Sequence, residues 1–131
     1  MKRPADVPRA ALEIRFVAEG EPKDGLKVTG PEGESLWVEK EIVISSADVA
    51  EVHVGLDMDL EHYGVTLFFT PQAAQRLHDA TAHNLGRQVA VLLNGIVVIA
   101  PRVQSPLGPS ARISGNYTRE AATKLAEQLA P

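Results

Sequence analysis

The sequence predicts an α+β fold in which two helices pack on one face of a mainly antiparallel sheet, with an Asn-Gly hairpin at its centre. Two observations indicate the sheet: β-branched apolar runs flank Asn94-Gly95, and other short stretches alternate apolar and polar residues. A third indicates the helices, because two segments rich in Ala and Leu repeat apolar residues at helical spacing. A chain of 131 residues is long enough to bury such a core.

The central hairpin is predicted from residues 89–100, where two apolar runs flank Asn94-Gly95. A type I′ turn needs positive φ at both central residues, and Asn and Gly tolerate that conformation best. A two-residue turn also sets the register of the two strands. The predicted cross-strand pairs are Leu93 with Ile96, Leu92 with Val97, Val91 with Val98 and Ala90 with Ile99.

The chain before the hairpin begins with residues 1–10, whose prolines and scattered charges predict a flexible lead-in. Alternation over residues 12–17 predicts a half-buried strand. Residues 20–34 hold four glycines, two prolines and many charges, so they predict a loose loop. A short strand is expected around Trp37, followed by a serine-capped turn or single helical turn at residues 45–48.

Two further strands are predicted at residues 49–56 and 64–69, joined by a polar hairpin connection. Thr70-Pro71 then opens the first helix, because Thr is a favoured N-cap and Pro is tolerated in the first turn. Gly86 is expected to end this helix in the left-handed conformation.

After the hairpin, Arg102–Ala111 is predicted to be a loop, because it contains two prolines and a glycine. A short strand at residues 112–114 and a turn at Gly115-Asn116 precede the second helix, which Thr118 caps. No linker separates two apolar cores, so residues 11–131 are expected to form a single domain.

Composition narrows the function classes. A formal net charge of −4 without a basic cluster argues against nucleic-acid binding. The absence of cysteine excludes disulfides and thiolate metal sites. No apolar run approaches the ~20 residues of a membrane span, so no direct span is expected. Localisation stays open: cytoplasmic if the chain is complete, periplasmic or extracellular-facing if a leader or anchor was removed.

The motifs favour neither catalysis nor a cofactor nor a metal. Residues 57–61 place acidic side chains at alternate positions, but His62 and Phe68 stand where an EF-hand needs Gly and Glu. His78 and His83 are five residues apart, so they do not share a helix face. No serine lies in a G-x-S-x-G motif. We therefore expect no catalytic residue, no cofactor and no metal ligand.

Both faces of the predicted hairpin are apolar, whereas helices on one side of the sheet cover only one face. Two explanations are open. The N-terminal strands and the Trp37 region cover the second face, or that face is a surface for self-association or polypeptide binding.

An ordered set of short motifs extends from Leu36 to Leu129. The set comprises Leu-Trp-Val-Glu-Lys at 36–40, Thr81, Gly86, Ala-Val-Leu-Leu-Asn-Gly at 90–95, Ala-Pro at 100–101, Ile-Ser-Gly-Asn-Tyr-Thr at 113–118 and Glu120-Ala121. In order and spacing it resembles the head part of the first large periplasmic domain of SecD, a subunit of the bacterial preprotein translocase. The resemblance implies an α+β head domain that engages emerging polypeptide or couples its movement to export, without catalysis.

We therefore predict a non-enzymatic module that binds a protein or an unfolded polypeptide and is linked to protein export. The residues predicted to make the contact are Ile96, Ile99, Arg102 and Leu107. The alternatives are a small ligand-binding protein or enzyme that reuses the fold, or a homo-oligomeric accessory or immunity-type protein.

Overall fold

The structure is a computed structural model that describes residues 1–20, 23 and 25–131. Its elements, in chain order, are β1 (Leu12–Phe16), β2 (Leu26–Thr29), β3 (Ser35–Val38), β4 (Ile44–Ser45), a 3-10 turn (Ser46–Asp48), β5 (Val49–Leu56), β6 (Tyr63–Phe69), α1 (Pro71–Ala82), β7 (Val89–Leu93), β8 (Ile96–Ile99), β9 (Ser110–Tyr117) and α2 (Arg119–Leu129). Within the described ranges, no helix has the length and apolar character needed to cross a lipid bilayer.

The α+β class is confirmed, but the strands divide between two sheets instead of lying in one. The larger sheet has the order β3-β2-β8-β7-β1-β4, and the smaller has the order β5-β6-β9. Neighbouring strands are antiparallel except β2 and β8, which are parallel with Thr29 opposite Ile96. The alternation of residues shows which side chains of a strand point inward, but it does not specify the neighbouring strand.

Strands β7 and β8 pair antiparallel across Asn94-Gly95, whose φ angles are 50° and 83°. Leu93 lies opposite Ile96, and Leu92 opposite Val97. Beyond these two pairs, the register shifts and Val91 pairs with Ile99, so the predicted pairs of Val91 with Val98 and of Ala90 with Ile99 are wrong. A β-bulge adds one residue to one strand and changes which face the following side chains occupy.

The larger sheet curls so that the chain just after β1 meets β3. Val17, just after β1, bridges to Val38, and the Ala18 N–H donates to the Trp37 carbonyl at 2.9 Å. The curled sheet encloses a small apolar cluster. Its buried members are Val38, Ala90, Leu92 and Val97, and the half-buried side chains around them are Val17, Val28, Leu36 and Ala100. The N-terminal strands therefore cover this face of the β7–β8 pair, which is the first of the two explanations above.

The main core lies between the other face of the larger sheet, the smaller sheet and the helices. Helix α2 packs on β5, β6 and β9 through Ala122, Ala126 and Leu129, while α1 buries Ala73, Leu77 and Thr81. Both predicted caps are confirmed. The hydroxyl oxygens of Thr70 and Thr118 accept the backbone N–H groups three residues further along the chain.

Four local predictions differ from the structure. Residues 26–29 of the predicted loose loop form β2, which lies between β3 and β8 in the larger sheet, while residues 21, 22 and 24 lie outside the description. Ala10, in the predicted lead-in, is buried, and its N–H donates to the Gln128 carbonyl at 2.8 Å.

Helix α1 ends at Ala82, so Gly86 adopts its φ of 87° in the following turn and not as the helix stop. Its N–H donates to the Val103 carbonyl at 2.7 Å, which ties the turn to the next segment of chain. The strand predicted at 112–114 extends over Ser110–Tyr117, and Gly115-Asn116 is an irregularity within it. The helix ends through local hydrogen bonds, since the Asn84 N–H donates to the Thr81 carbonyl at 3.1 Å, whereas the longer strand arises from pairing with β6.

Candidate functional site

The four residues predicted to make contacts lie in two different environments. Ile96 is 56% exposed at the turn end of β8, and Arg102 is exposed beyond the other end of that strand. The Arg102 guanidinium donates to the Gly86 carbonyl at 3.1 Å. Ile99 and Leu107 are half-buried and pack against the main core. The structure therefore presents Ile96 and Arg102 to solvent at separate ends of β8.

A larger group of exposed apolar side chains lies at the end of β5 and in the connection to β6. Leu56 is 51%, Leu60 78% and Met58 fully exposed, and we call these three side chains the apolar tip. Sequence reasoning missed the tip because it assigned residues 57–63 to a polar hairpin connection. The signal was present, since apolar residues at 56, 58 and 60 alternate with the acidic residues.

Arg112, on β9, holds the base of the tip. Its Nε and Nη2 atoms donate to Asp57 Oδ1 at 3.0 and 2.8 Å, and Nη2 also donates to the Gly55 carbonyl at 2.9 Å. Nη1 donates to Thr66 Oγ1 at 2.9 Å, and the Ser114 hydroxyl donates to Asp57 Oδ1 at 3.2 Å. One guanidinium thus connects three strands to the first residue of the turn, as its planar array of donors allows.

Gly64 leaves the space that this ion pair occupies. A Cβ atom at this position would lie 2.8 Å from Asp57 Oδ1 and 2.9 Å from Arg112 Nη2. Contacts this short are essentially never seen for a real Cβ atom. Any side chain at position 64 therefore displaces the carboxylate or the guanidinium.

A second set of hydrogen bonds, around Asp59, orders the end of the tip. Asp59 Oδ1 accepts the N–H groups of Glu61 and His62, both at 2.9 Å, and Oδ2 lies 2.7 Å from His62 Nδ1. The His62 N–H, the Glu61 N–H and the His62 ring lower the pKa of Asp59 from 3.8 to about 2. The hydrogen bond with Asp59 raises the pKa of His62 above its usual value. Between these two residues, Leu60 has a φ of 59°.

The tip borders an open depression of about 390 Å³. Its lining comprises Leu56, Asp57, Met58, Asp59, Arg112 and Ser114. Aliphatic side chains, two carboxylates and one guanidinium thus meet at one surface. The arrangement suits recognition of a mixed apolar and polar partner, because the charged groups are held beside the apolar ones by hydrogen bonds.

The histidines are dispersed through the part of the chain that the structure describes, where no three His, Cys, Asp or Glu residues converge as metal ligands. His53 contacts Glu51 at 3.2 Å, and the His83 ring contacts the Asp79 carbonyl at 2.7 Å. These are local pairs, one within β5 and one at the C-terminal end of α1.

Comparison with known proteins gives consistent matches. The family model of the SecDF P1 head subdomain matches residues 23–130. The protein translocase subunit SecD of Elusimicrobium minutum is 32% identical over 108 residues, which is 82% of this chain and 23% of that protein. SecD of Acidaminococcus fermentans is 46% identical over 63 residues, which is 47% of this chain and 15% of that protein.

Two solved structures have the same fold. One is a SecDF described as a membrane component that enhances protein export, with a TM-score of 0.74 and 27% identity over 93% of this chain and 62% of that one. Another is SecDF in a super-membrane-facing form, with a TM-score of 0.75 and 27% identity over 93% of this chain and 19% of that one. The chain spans about a quarter or less of the two relatives described above. Because the family model covers most of the sequence, the chain belongs to the SecDF P1 head subdomain family.

Proposed function

We propose that this chain is a non-catalytic module that binds unfolded polypeptide in protein export. The observation that carries the proposal is the match of residues 23–130 to the P1 head subdomain, together with relatives named as translocase subunits. Fold alone does not determine function, so the assignment requires a surface suited to another chain. Exposed apolar side chains at the ends of strands provide such a surface.

The residues predicted from the sequence enter this proposal in two roles. Ile96 offers an exposed aliphatic side chain next to the Asn94-Gly95 turn, and Arg102 offers a cation beyond the far end of β8. Ile99 and Leu107 support these contacts from below, because both pack against the main core. The Leu107 N–H also donates to Thr81 Oγ1 at 2.8 Å, which attaches the loop after β8 to α1.

Binding to an unfolded chain tests the proposal directly. The probe is fluorescein-labelled α-lactalbumin, reduced and carboxymethylated so that it stays unfolded, and fluorescence anisotropy measures its affinity. We expect the unfolded probe to bind at least tenfold more tightly than the native, disulfide-bonded form. Equal affinity for the two forms, or no binding of the unfolded one, would contradict the proposal.

Two substitutions test whether Ile96 and Arg102 contact the unfolded probe. Ile96→Ser removes an exposed aliphatic side chain, and Arg102→Gln removes the cation, so each is expected to weaken binding at least threefold. Leu85→Ser is the matched control, because Leu85 is 54% exposed and lies in the turn after α1. Equal losses in Ile96→Ser and Leu85→Ser would remove Ile96 from the contact surface.

A further inference from the structure

We propose that the apolar tip is the primary contact for polypeptide segments that combine aliphatic and basic residues. This inference rests on the proposed function and assigns it to a surface other than Ile96 and Arg102. The tip comprises Leu56, Met58 and Leu60, as defined above.

The exposure of the tip is the first observation. Three aliphatic side chains within five residues are exposed to solvent, and Met58 is fully exposed. Single exposed apolar residues are common on protein surfaces, but Leu56 and Met58 line one depression at the end of the hairpin and so form a patch, with Leu60 exposed two residues further along. A patch of this kind loses unfavourable hydration only when another molecule covers it.

The order of the tip is the second observation. Arg112 and Ser114 hold Asp57 at its base, and Asp59 holds the backbone of Glu61 and His62 at its end. Groups fixed before binding lose less conformational entropy when a partner arrives, so this order favours a binding role.

The backbone within the tip supports the same conclusion. The Asp57 N–H donates to the His62 carbonyl at 2.7 Å, and the Leu60 N–H donates to the Asp57 carbonyl at 3.0 Å. These bonds hold Leu60 in the left-handed region, which is unfavourable for a residue other than Gly, Asn or Asp. Backbone strain of this kind clusters at ligand-binding and other functional sites.

The charge around the tip identifies the class of partner. Asp57, Asp59 and Glu61 alternate with the apolar residues, and the cationic groups that face them are Arg112 and, when protonated, His62. The fringe of the tip is therefore acidic. Basic side chains next to aliphatic ones complement it, whereas the surface of an anionic membrane repels it.

The test uses three labelled synthetic peptides of fourteen residues. The first combines leucine, serine and lysine, the second replaces each lysine with glutamate, and the third replaces each leucine with serine. Fluorescence anisotropy at low salt measures their affinities for the protein. We expect the first peptide to bind at least fivefold more tightly than either of the others.

The decisive variant is Leu56→Ser/Met58→Ser/Leu60→Asn, in which Asn at position 60 tolerates the positive φ. Its matched control is Leu26→Ser/Ile42→Ser/Leu85→Ser, which removes three exposed aliphatic side chains elsewhere. We expect at least a tenfold loss of affinity for the first peptide in the tip variant, and less than twofold in the control. Should circular dichroism show that the tip variant does not fold, Met58→Ser takes its place, with an expected loss of at least threefold.

Three results would overturn the inference. Unchanged affinity in the tip variant, with weakened binding in Ile96→Ser, would leave the proposed function intact and move the site to β8. A glutamate peptide that binds as tightly as the lysine peptide would exclude the charge argument. Sedimentation of the wild-type protein, but not the tip variant, with phosphatidylcholine vesicles would assign the tip to a lipid surface. A wild-type protein that binds neither a peptide nor unfolded α-lactalbumin would instead contradict the proposed function.

Discussion

Gly55 and Gly64 lie directly opposite each other on β5 and β6, but the structure predicts opposite responses to the same substitution. At Gly55 a Cβ atom would meet nothing within 4 Å, and the φ angle lies outside the left-handed region. At Gly64 a Cβ atom would lie 2.8 Å from Asp57 Oδ1 and 2.9 Å from Arg112 Nη2. Because the two residues share a cross-strand pair, Gly55→Ala is a matched control for Gly64→Ala.

The magnitude follows from the hydrogen bonds that Gly64→Ala disturbs. Ordinary Cβ contacts begin near 3.4 Å, so the carboxylate and the guanidinium must each move by about half an ångström. Hydrogen bonds to charged groups contribute ~1.5–3 kcal/mol each, and this pair is partly exposed to solvent, so a partial loss costs about 1–2 kcal/mol. In a domain of this size, that destabilisation lowers Tm by roughly 3–10 °C. Gly55→Ala instead restricts the unfolded chain and is expected to be neutral or stabilising by up to ~1 kcal/mol.

Urea unfolding monitored by circular dichroism measures both free energies. A second comparison tests whether the clash with Arg112 causes the destabilisation by Gly64→Ala. It uses Arg112→Met, which removes the guanidinium that a Cβ atom at position 64 would displace. We expect Gly64→Ala to cost less than half as much in the Arg112→Met background as in the wild type, because residues that share a contact are not additive. Equal effects of the two glycine substitutions, or an equal cost of Gly64→Ala in both backgrounds, would refute the reasoning.

Three further predictions test other parts of the molecule. Thr81→Val is expected to destabilise the protein by about 1–3 kcal/mol because it leaves the Leu107 N–H without its acceptor, and Thr81→Ser, which keeps the hydroxyl, should restore most of that loss in urea unfolding. Leu92→Ala, inside the curled sheet, should cost ~2–5 kcal/mol in the same assay, and a loss below 1 kcal/mol would mean that the small apolar cluster does not stabilise the fold. The His62 pKa, followed by the NMR shifts of its ring protons, should lie above its usual value and return to it in Asp59→Asn. The dependence of protein stability on pH has opposite signs for His62 and Asp59. The contribution of His62 to stability is present below its unfolded pKa and is lost as the pH rises through its raised folded pKa, whereas that of Asp59 is present above 3.8 and is lost as the pH falls through about 2. An unchanged His62 pKa in Asp59→Asn would contradict the hydrogen bond.

Helices and strands were predictable where the residues that determine them lie close together in the sequence. Thr70 and Thr118 begin the two helices because each hydroxyl accepts a backbone N–H only three residues further along the chain. Predictions failed where distant hydrogen bonds decide the outcome. Residues 26–29 become a strand because β3 and β8 lie on either side of them. The pairing of Val91 with Ile99 depends on a bulge that the alternation of residues does not indicate.

By itself, the sequence determined the α+β class, most of the strands, both helix starts and the resemblance to the SecD head, because these depend on propensity, capping and the order of short motifs. Tertiary structure alone decided that the strands form two sheets and that the larger one curls over its own apolar face. It also decided the geometry of the apolar tip, since Arg112 contacts Asp57 from 55 residues further along the chain. Such contacts depend on how distant elements pack, and no periodicity in the sequence encodes which of them will meet.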